Sequence, residues 1–388
     1  MNFSLRHLRV IREIGATGSA SRAAVQTHLT QPAVTQALAK LERELETTLF
    51  ERRPQGLFPT DEGRMLIERI DRAFQLLDPA LAELAPRLVL TVTVSQLQAL
   101  IAVVETESFS EAARRLGLSQ PTVHRAIGQM EQEFGRRMFE RTARGVIASK
   151  PVQRLARIAR LSFAELDQAW ADLAETKGRE VGRIVIGGLP LSRSCLLGPA
   201  IARFRTLRPL IRIKIVDGTF TDLALGLRRG EIDFIIGALR PAETVPDLDQ
   251  EVLLNDQMTV VCRPDHPLTS RASISLREMS SLPWVVAPDG APGRATFETL
   301  FENGSRPESL VETGSLILMR ELLRQSDHLG FASALQVAPE LASASLALLP
   351  LHLNDAPRPI GILMRQGWVP TRVQSEMLAA VREVAANT

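Results

Sequence analysis

Gln120, Thr122, His124, Arg125 and Gln129 fall on one side of a helical stretch whose other side is Val123, Ile127 and Met130. Amides, a hydroxyl, an imidazole and a guanidinium arrayed in this way can reach base edges or phosphates. Ser119 and Pro121 belong to the same set, as the cap and the first turn of that helix. Arg136, Arg137, Arg141 and Arg144 follow and add cations suited to a polyanion. No other group of residues offers covalent chemistry. The chain has no phosphate loop, no Gly-x-Ser-x-Gly and no His-Glu-x-x-His. Its six His are scattered without i, i+4 pairing, and His266 and His328 have no Cys or His nearby in sequence. Cys195 and Cys262 lie far apart and outside any Cys-x-x-Cys, so they read as small buried hydrophobes rather than a redox pair. No enzymatic activity, cofactor or metal is expected.

Such side chains need an element to present them, and the chain carries that element twice. Shifted by 89 residues, Leu5–Gly56 lies on Val94–Gly145 without a gap, with 17 of 52 positions identical. Ala23-Ala24 meets Ala112-Ala113, Gln31-Pro32 meets Gln120-Pro121, and Phe50-Glu51-Arg52 meets Phe139-Glu140-Arg141. Two copies are a duplicated domain, not a solenoid, which needs three or more stacked units. In the second copy Leu97, Leu100, Ile101 and Val104 predict a first helix, as do Leu8, Ile11 and Ile14 in the first. Ser108 or Ser110 can cap a second helix, which stops at Gly117, and Ser119 caps the third. Two short helices joined by a tight turn containing Gly predict a helix-turn-helix. Arg136–Arg141 and Arg144–Val146 read as a short basic β-wing. The register carries the polar face to Thr30, Gln31, Pro32, Thr35, Gln36 and Lys40 of the first copy, with Arg52 and Arg53 in its wing. A generic three-helix unit with a solvated face is the alternative. It weakens because a basic wing flanks the polar helix in both copies.

Leu118-Ser119-Gln120-Pro121-Thr122-Val123, Met138-Phe139-Glu140-Arg141 and Gly145 resemble the winged helix-turn-helix of LysR-type transcriptional regulators. Leu29-Thr30-Gln31-Pro32-Ala33-Val34, Leu49-Phe50-Glu51-Arg52 and Thr60-Asp61-Glu62-Gly63 do so in the first copy. The first copy has Ala20 where the family usually has Phe, which Phe109 keeps in the second. The second has Ser149-Lys150-Pro151-Val152 where the family shows a Thr-x-x-Gly helix start. The family's ordinary member has one such domain. The register continues past each wing, placing Leu66 on Leu155, Ala73 on Ser162, Leu77 on Leu166, Leu81 on Trp170 and Leu84 on Leu173. Both copies therefore carry a long helix with an apolar stripe. The resemblance implies that this linker helix pairs antiparallel with its equivalent. A connection as short as 85–92 favours a pair within one chain. Pairing of each helix with its copy in another chain is the alternative.

A chain of 388 residues is multidomain, and 45% hydrophobic residues suit a soluble globular protein. No apolar run approaches the roughly 18 residues of a membrane helix. Arg6, Arg9 and Arg12 break any signal-peptide core, so a cytoplasmic protein is expected. The formal charge is +1 over 1–89, +3 over 90–179 and −2 over the remainder, a sign that suits DNA at the N-terminal half.

From Gly182 the pattern changes. Strands are predicted at 184–186, 211–216, 232–236, 258–262, 284–287, 310–312 and 329–332, alternating with helices such as 196–207 and 222–229 and closed by a terminal helix over 372–385. This alternation implies parallel βαβ units. Asp217-Gly218, Gly230-Glu231-Ile232-Asp233-Phe234 and Arg263-Pro264-Asp265-His266-Pro267-Leu268 resemble the family's effector-binding domain, itself similar to periplasmic binding proteins. The expected fold class is thus multidomain. Two all-α winged helix-turn-helix DNA-binding domains (1–60 and 94–148) are each followed by a linker helix (61–93 and 149–178). An α/β effector domain over 179–388 has subdomain I at about 179–262 and 351–388 and subdomain II at about 263–350.

Ligands in such sheets bind at strand C-termini beside helix N-termini. That rule selects Pro190, Leu191, Ser192, Thr219, Thr313 and Ser315, with Arg294 to meet a carboxylate. Each serine is equally readable as a plain N-cap, and Arg294 as a surface charge. The resulting expectation is a transcription regulator that binds double-stranded DNA and responds to a small-molecule effector, an organic anion. It would be a homodimer or higher homo-oligomer, with no membrane association and with RNA polymerase as a candidate partner. Two alternatives remain at this point: an architectural DNA-binding protein whose α/β domain serves only oligomerisation, and a solute-binding protein, which the absence of a signal peptide disfavours.

Overall fold

The computed structural model describes residues 4–143, 145–271, 273–302, 306–350 and 358–388. The chain forms two compact units that divide after Gly182.

In the first unit each copy opens with three helices: α1 (Leu5–Thr17), α2 (Ala20–Gln26) and α3 (Gln31–Leu45). Strands β1 (Phe50–Arg53) and β2 (Gly56–Pro59) form an antiparallel wing, and α4 (Asp61–Leu84) is the long helix. A short helix, α5 (Leu88–Thr91), leads into the second copy. That copy repeats the order as α6 (Val94–Thr106), α7 (Phe109–Leu116), α8 (Gln120–Phe134), the wing β3 (Phe139–Thr142) and β4 (Gly145–Ala148), and α9 (Lys150–Thr176).

Local signals account for these boundaries. Ser108 Oγ accepts the Glu111 N–H at 3.3 Å, which settles the cap of α7 on Ser108 rather than Ser110. Gly117 ends that helix at φ 66°, a conformation that penalises any side chain with a Cβ. At the head of α4, Thr60 Oγ1 accepts the Gly63 N–H at 3.0 Å. A Cβ on Gly63 would stand 2.1 Å from the Leu49 carbonyl oxygen, so helix and wing meet backbone to backbone. We expect Gly63→Ala to destabilise the first head by about 1–3 kcal/mol through overpacking, read as a lower urea midpoint. In the second copy this position is the buried Val152, and Ser149 makes no side-chain cap bond.

Alpha helices 4 and 9 pack against each other in antiparallel register. Arg69 meets Gln168 at 2.8 Å and Asp172 at 3.0 Å, Arg72 meets Glu165 at 3.3 Å, and Glu83 meets Arg154 at 3.0 Å. Leu66, Ala73, Leu77 and Leu81 of one helix and Leu155, Leu166, Trp170 and Leu173 of the other are buried in a single core shared by both copies. Lys177, just past α9, donates to the carbonyl of Glu46 at 2.8 Å, at the C-terminal end of α3, where a cation complements the helix dipole. The two linker helices thus pair within the chain.

The second unit holds two five-stranded sheets. The chain runs through β5 (Arg183–Gly188), α10 (Pro190–Cys195), α11 (Leu197–Leu207), β6 (Arg212–Val216), α12 (Phe220–Arg228), β7 (Phe234–Ala238), β8 (Leu248–Asp256) and β9 (Met258–Cys262). It continues through α13 (Leu276–Ser280), β10 (Trp284–Val286), α14 (Pro292–Leu300), β11 (Leu310–Glu312), α15 (Leu316–Arg324), β12 (Leu329–Ser333), α16 (Ala334–Ala342) and β13 (Ala347–Leu348). It ends with β14 (Arg358–Arg365) and α17 (Arg372–Ala386). Strand orders are β6-β5-β7-β14-β8 and β11-β10-β12-β9-β13.

The expected parallel units exist, since β5 is parallel to β6 and β7, and β10 to β11 and β12. Both sheets are nonetheless mixed. Strand β14 is antiparallel to β7 and β8, and β9 is antiparallel to β12 and β13. Strand β9, expected in the first subdomain, belongs to the second sheet. The sequence reading placed no strand at β8 or β14. Pro359 and Gly361 interrupt the pattern of β14, yet Gly361 is required there. The strand bulges at Ile360/Gly361, and a Cβ would lie 1.9 Å from the Glu251 carbonyl oxygen. Helices α11 and α17 cover one face of the first sheet and α12 the other, while the second sheet is covered by α14 and by α15 with α16. Among the described residues no helix is long and apolar enough to cross a membrane.

Candidate nucleic-acid interface and effector cleft

Helices α3 and α8 present what the sequence placed on them. Gln120, Thr122, His124, Arg125 and Gln129 are all exposed, while Val123, Ile127 and Met130 are buried. Ser119 Oγ accepts the Thr122 N–H at 3.3 Å, Thr30 Oγ1 accepts the Ala33 N–H at 3.4 Å, and Pro32 and Pro121 sit in the first turns. In the first copy Gln31, Thr35, Gln36 and Lys40 are exposed on the equivalent face. Some of these side chains are already engaged. Gln120 Oε1 accepts from Ser110 at 3.2 Å, Gln129 Oε1 accepts from Gln96 at 3.1 Å, and Lys40 lies 3.8 Å from Glu44. In the wings Arg52 and Arg141 are exposed and make no hydrogen bond or ion pair among the described residues. Arg53 pairs with Glu51 at 3.0 Å and lies over the Phe58 ring. Arg125 is likewise exposed and unpaired. Arg144 lies outside the described residues.

One pair of positioning residues escaped the sequence reading. Glu42 Oε1 accepts the Leu49 N–H at 2.7 Å and the Phe50 N–H at 3.3 Å, and Glu131 Oε1 accepts the Met138 N–H at 2.7 Å. Each carboxylate hangs from the recognition-type helix and fixes where the wing begins. An identical Glu at matching positions of both copies was the available signal.

The second unit rearranges the expected effector residues. Leu191 and Ser192 lie in the core, with Ser192 fully buried and its hydroxyl donating to the Leu189 carbonyl at 2.8 Å. The turn after β5 tucks these first helical residues inward. Pro190 opens α10 beside them and is half-buried. Thr219 caps α12, accepting the Asp222 N–H at 3.2 Å. Thr313 Oγ1 accepts the Ser315 N–H at 3.0 Å, and Ser315 Oγ accepts the Leu318 N–H at 3.2 Å. Ser315 fills the capping role held open for it, Thr219 also caps its helix, and Thr313 closes the turn that leads into Ser315. Arg294 meets Glu298 and Glu312, each at 2.6 Å, and the hydrogen bond to Glu312, above all, holds its pKa up. Its guanidinium is neutralised by its own chain.

A different cationic group gathers where the chain crosses between the sheets. Asp256, at the end of β8, is 1% exposed. It accepts from Arg358 Nη2 at 2.6 Å and from Ser333 Oγ at 2.8 Å. Arg358 Nε is buried without a partner among the described residues. Arg240, just past β7, is half-buried over the ring of Phe220, 4.3 Å from its centroid, and donates to the Ala238 carbonyl at 3.1 Å. It has no carboxylate partner among the described residues. Burial first, and the Arg358 charge second, push its pKa down. A Cβ on Gly293 at the start of α14 would lie 3.6 Å from Arg358 Nη1. Arg358 is thus paired with Asp256, while Arg240, within electrostatic reach of Arg358, has only a backbone carbonyl and an aromatic ring. Cys195, at the end of α10, is held near 11 by burial and then by Asp256, so it is an inert thiol.

The chain matches known proteins along its length. Residues 5–64 and 94–150 match the model of the bacterial regulatory helix-turn-helix protein, lysR family, and residues 177–386 match the LysR substrate binding domain. The transcriptional regulator GalR of Pseudomonas putida is 34% identical over 386 residues, covering 98% of this chain and 97% of that protein. PcaQ of Agrobacterium fabrum is 28% identical over 294 residues, 75% of this chain and 94% of that one. Among solved structures, full-length OxyR from Pseudomonas aeruginosa aligns over 74% of this chain and 97% of its own, with TM-score 0.51 at 20% identity. LysG from Corynebacterium glutamicum aligns over 76% and 98%, with TM-score 0.52 at 17% identity. At such identities the structures speak to the fold. Two helix-turn-helix matches, a substrate-domain match over more than half the chain and an end-to-end relative together show that this protein belongs to the LysR family of transcriptional regulators.

Proposed function

We propose that both winged domains grip duplex DNA and that the α/β unit senses a small organic anion, a carboxylate, at Arg240 and Arg358. The observation that carries the second part is the half-buried Arg240, within electrostatic reach of Arg358 and with no carboxylate of its own among the described residues. The relative LysG was solved with the effector Arg bound, a molecule that carries a carboxylate. An anion seated at this junction would touch residues hung from both sheets. It would shift the population toward closed lobes and so bias the DNA-binding heads. Two chains joined through their effector units would present four heads, and the protein would act in the cytoplasm on its own promoters.

The DNA part rests on exposed, unpaired Arg125 and Arg141. Arg141→Ala should weaken binding to every duplex alike and lower the slope of log affinity against log salt by about one. Arg125→Ala should cost roughly 1–3 kcal/mol on a site where it reads guanine and relax specificity at that position. Gel-shift titrations across salt concentrations measure both. If both variants bind the operator as the parent does, the assignment of these faces is wrong.

A further inference from the structure

The two heads differ where they would meet bases. In register, Thr35, Gln36 and Lys40 of α3 stand where α8 carries His124, Arg125 and Gln129. The surroundings differ as well. His124 is stacked flat on Phe109, with centroids 3.9 Å apart and planes 7° from parallel. The first copy has Ala20 in place of Phe109, and its Thr35 hydroxyl donates to the Gln31 carbonyl at 3.1 Å. Arg pairs with the O6 and N7 of guanine, whereas Gln pairs with the N6 and N7 of adenine. The heads are built to ask for different bases.

The linker helices make that difference permanent. Arg69 is 3% exposed at the α4–α9 seam, ringed by Glu165, Gln168 and Asp172. If α4 paired with another α4 in the same register, Arg69 would face Leu76, Pro79 and Glu83 instead. If α9 paired with another α9, Glu165, Gln168 and Asp172 would face Ile158. The α9–α9 arrangement sets two buried carboxylates against an apolar residue, and the α4–α4 arrangement leaves Arg69 one acid, Glu83, in place of two acids and an amide, so like-with-like pairing is penalised. Every pair of heads then contains one α3 and one α8.

We propose that one chain recognises a non-palindromic DNA site. The site has two arms of unlike sequence, one read by α8 through a guanine at Arg125 and the other by α3 through an adenine at Gln36. This rests on the reading of both winged domains as DNA binders. The test is selection of the full-length chain against a library of randomised duplexes, repeated with Arg125→Gln and with Thr35→His combined with Gln36→Arg. The expected result is an enriched site with unlike arms. Arg125→Gln should alter preference in one arm only, by about tenfold or more at a single base pair, and the double variant should alter the other arm only. A palindromic site in which each variant changes both arms equally would overturn the proposal, as would a site with a single arm. Retention of no duplex sequence above background would instead overturn the DNA-binding reading on which it stands.

Discussion

Arg69→Ala should destabilise the first unit by about 3–5 kcal/mol, the size expected when one member of a buried ionic cluster is removed. The guanidinium donates to Gln168 at 2.8 Å, to Glu165 at 3.2 Å and to Asp172 at 3.1 Å, and the side chains of Arg69, Glu165 and Asp172 are 4%, 10% and 11% exposed. Truncation takes a shared cation from two carboxylates at a nearly dry helix seam, of which Glu165 keeps Arg72 at 3.3 Å. The cost is therefore set by desolvation rather than by the worth of the pair itself. A compensating variant separates the two. Arg69→Met with Glu165→Leu and Asp172→Leu removes the three buried charges together, leaving the more exposed Arg72 to water, and should recover most of the loss, because apolar residues of similar volume can fill such a site. It should also lose the discrimination against like pairs, and so acquire a concentration-dependent mass in sedimentation. Urea unfolding of the full chain, following the transition of the first unit, measures the stability. A loss below about 1 kcal/mol, the range of exposed ion pairs, would mean that the seam is open to water and the helices are not packed as described.

Arg240→Ala should abolish the thermal stabilisation that the effector confers. A ligand at 100 times its dissociation constant stabilises the folded state by about 2.7 kcal/mol, and a screen of organic acids by thermal shift reads that gain. Arg240 is the cleaner probe because it has no carboxylate to strand. Among the described residues, Arg358→Ala would also leave buried Asp256 with only the Ser333 hydroxyl and the Leu335 N–H, the latter at 3.5 Å, so it should weaken the unit even without ligand. Arg294→Ala is the control. Its charge is consumed by Glu298 and Glu312, and the ligand response should survive its loss. Retention of the response in Arg240→Ala together with its disappearance in Arg294→Ala would move the site away from the junction between the sheets.

What could be read from residue order alone was whatever is encoded within a few positions. Caps at Thr30, Thr60, Ser108 and Ser119, the turn at Gly117, the buried stripes of α3 and α8 and the short wings are local events, each decided by neighbours one to four residues away. The duplication doubled each signal. It also carried the register into α4 and α9, so their apolar stripes were legible before their packing was. The partners of Arg69 lie 96 to 103 residues away, and nothing in local pattern distinguishes that Arg from any other on a polar helix face.

The effector unit shows the same division more sharply. The strand–helix rule nominated the turns after β5 and β6, but could not say which side chains those turns leave pointing outward. Ser192 turned inward, and Arg294 found acids on α14 and β11. Arg240, Asp256 and Arg358 come from the ends of three strands that are separate in sequence, and two of those, β8 and β14, carried no strand signal of their own. Their meeting depends on β14 inserting antiparallel between β7 and β8, a non-local choice made by the whole sheet. Sequence by itself determined the heads, their duplication and the family, because helical periodicity, capping and repeat register are short-range. Only the tertiary structure decided which charges are buried together, because burial and charge pairing depend on segments brought side by side across a hundred residues of chain.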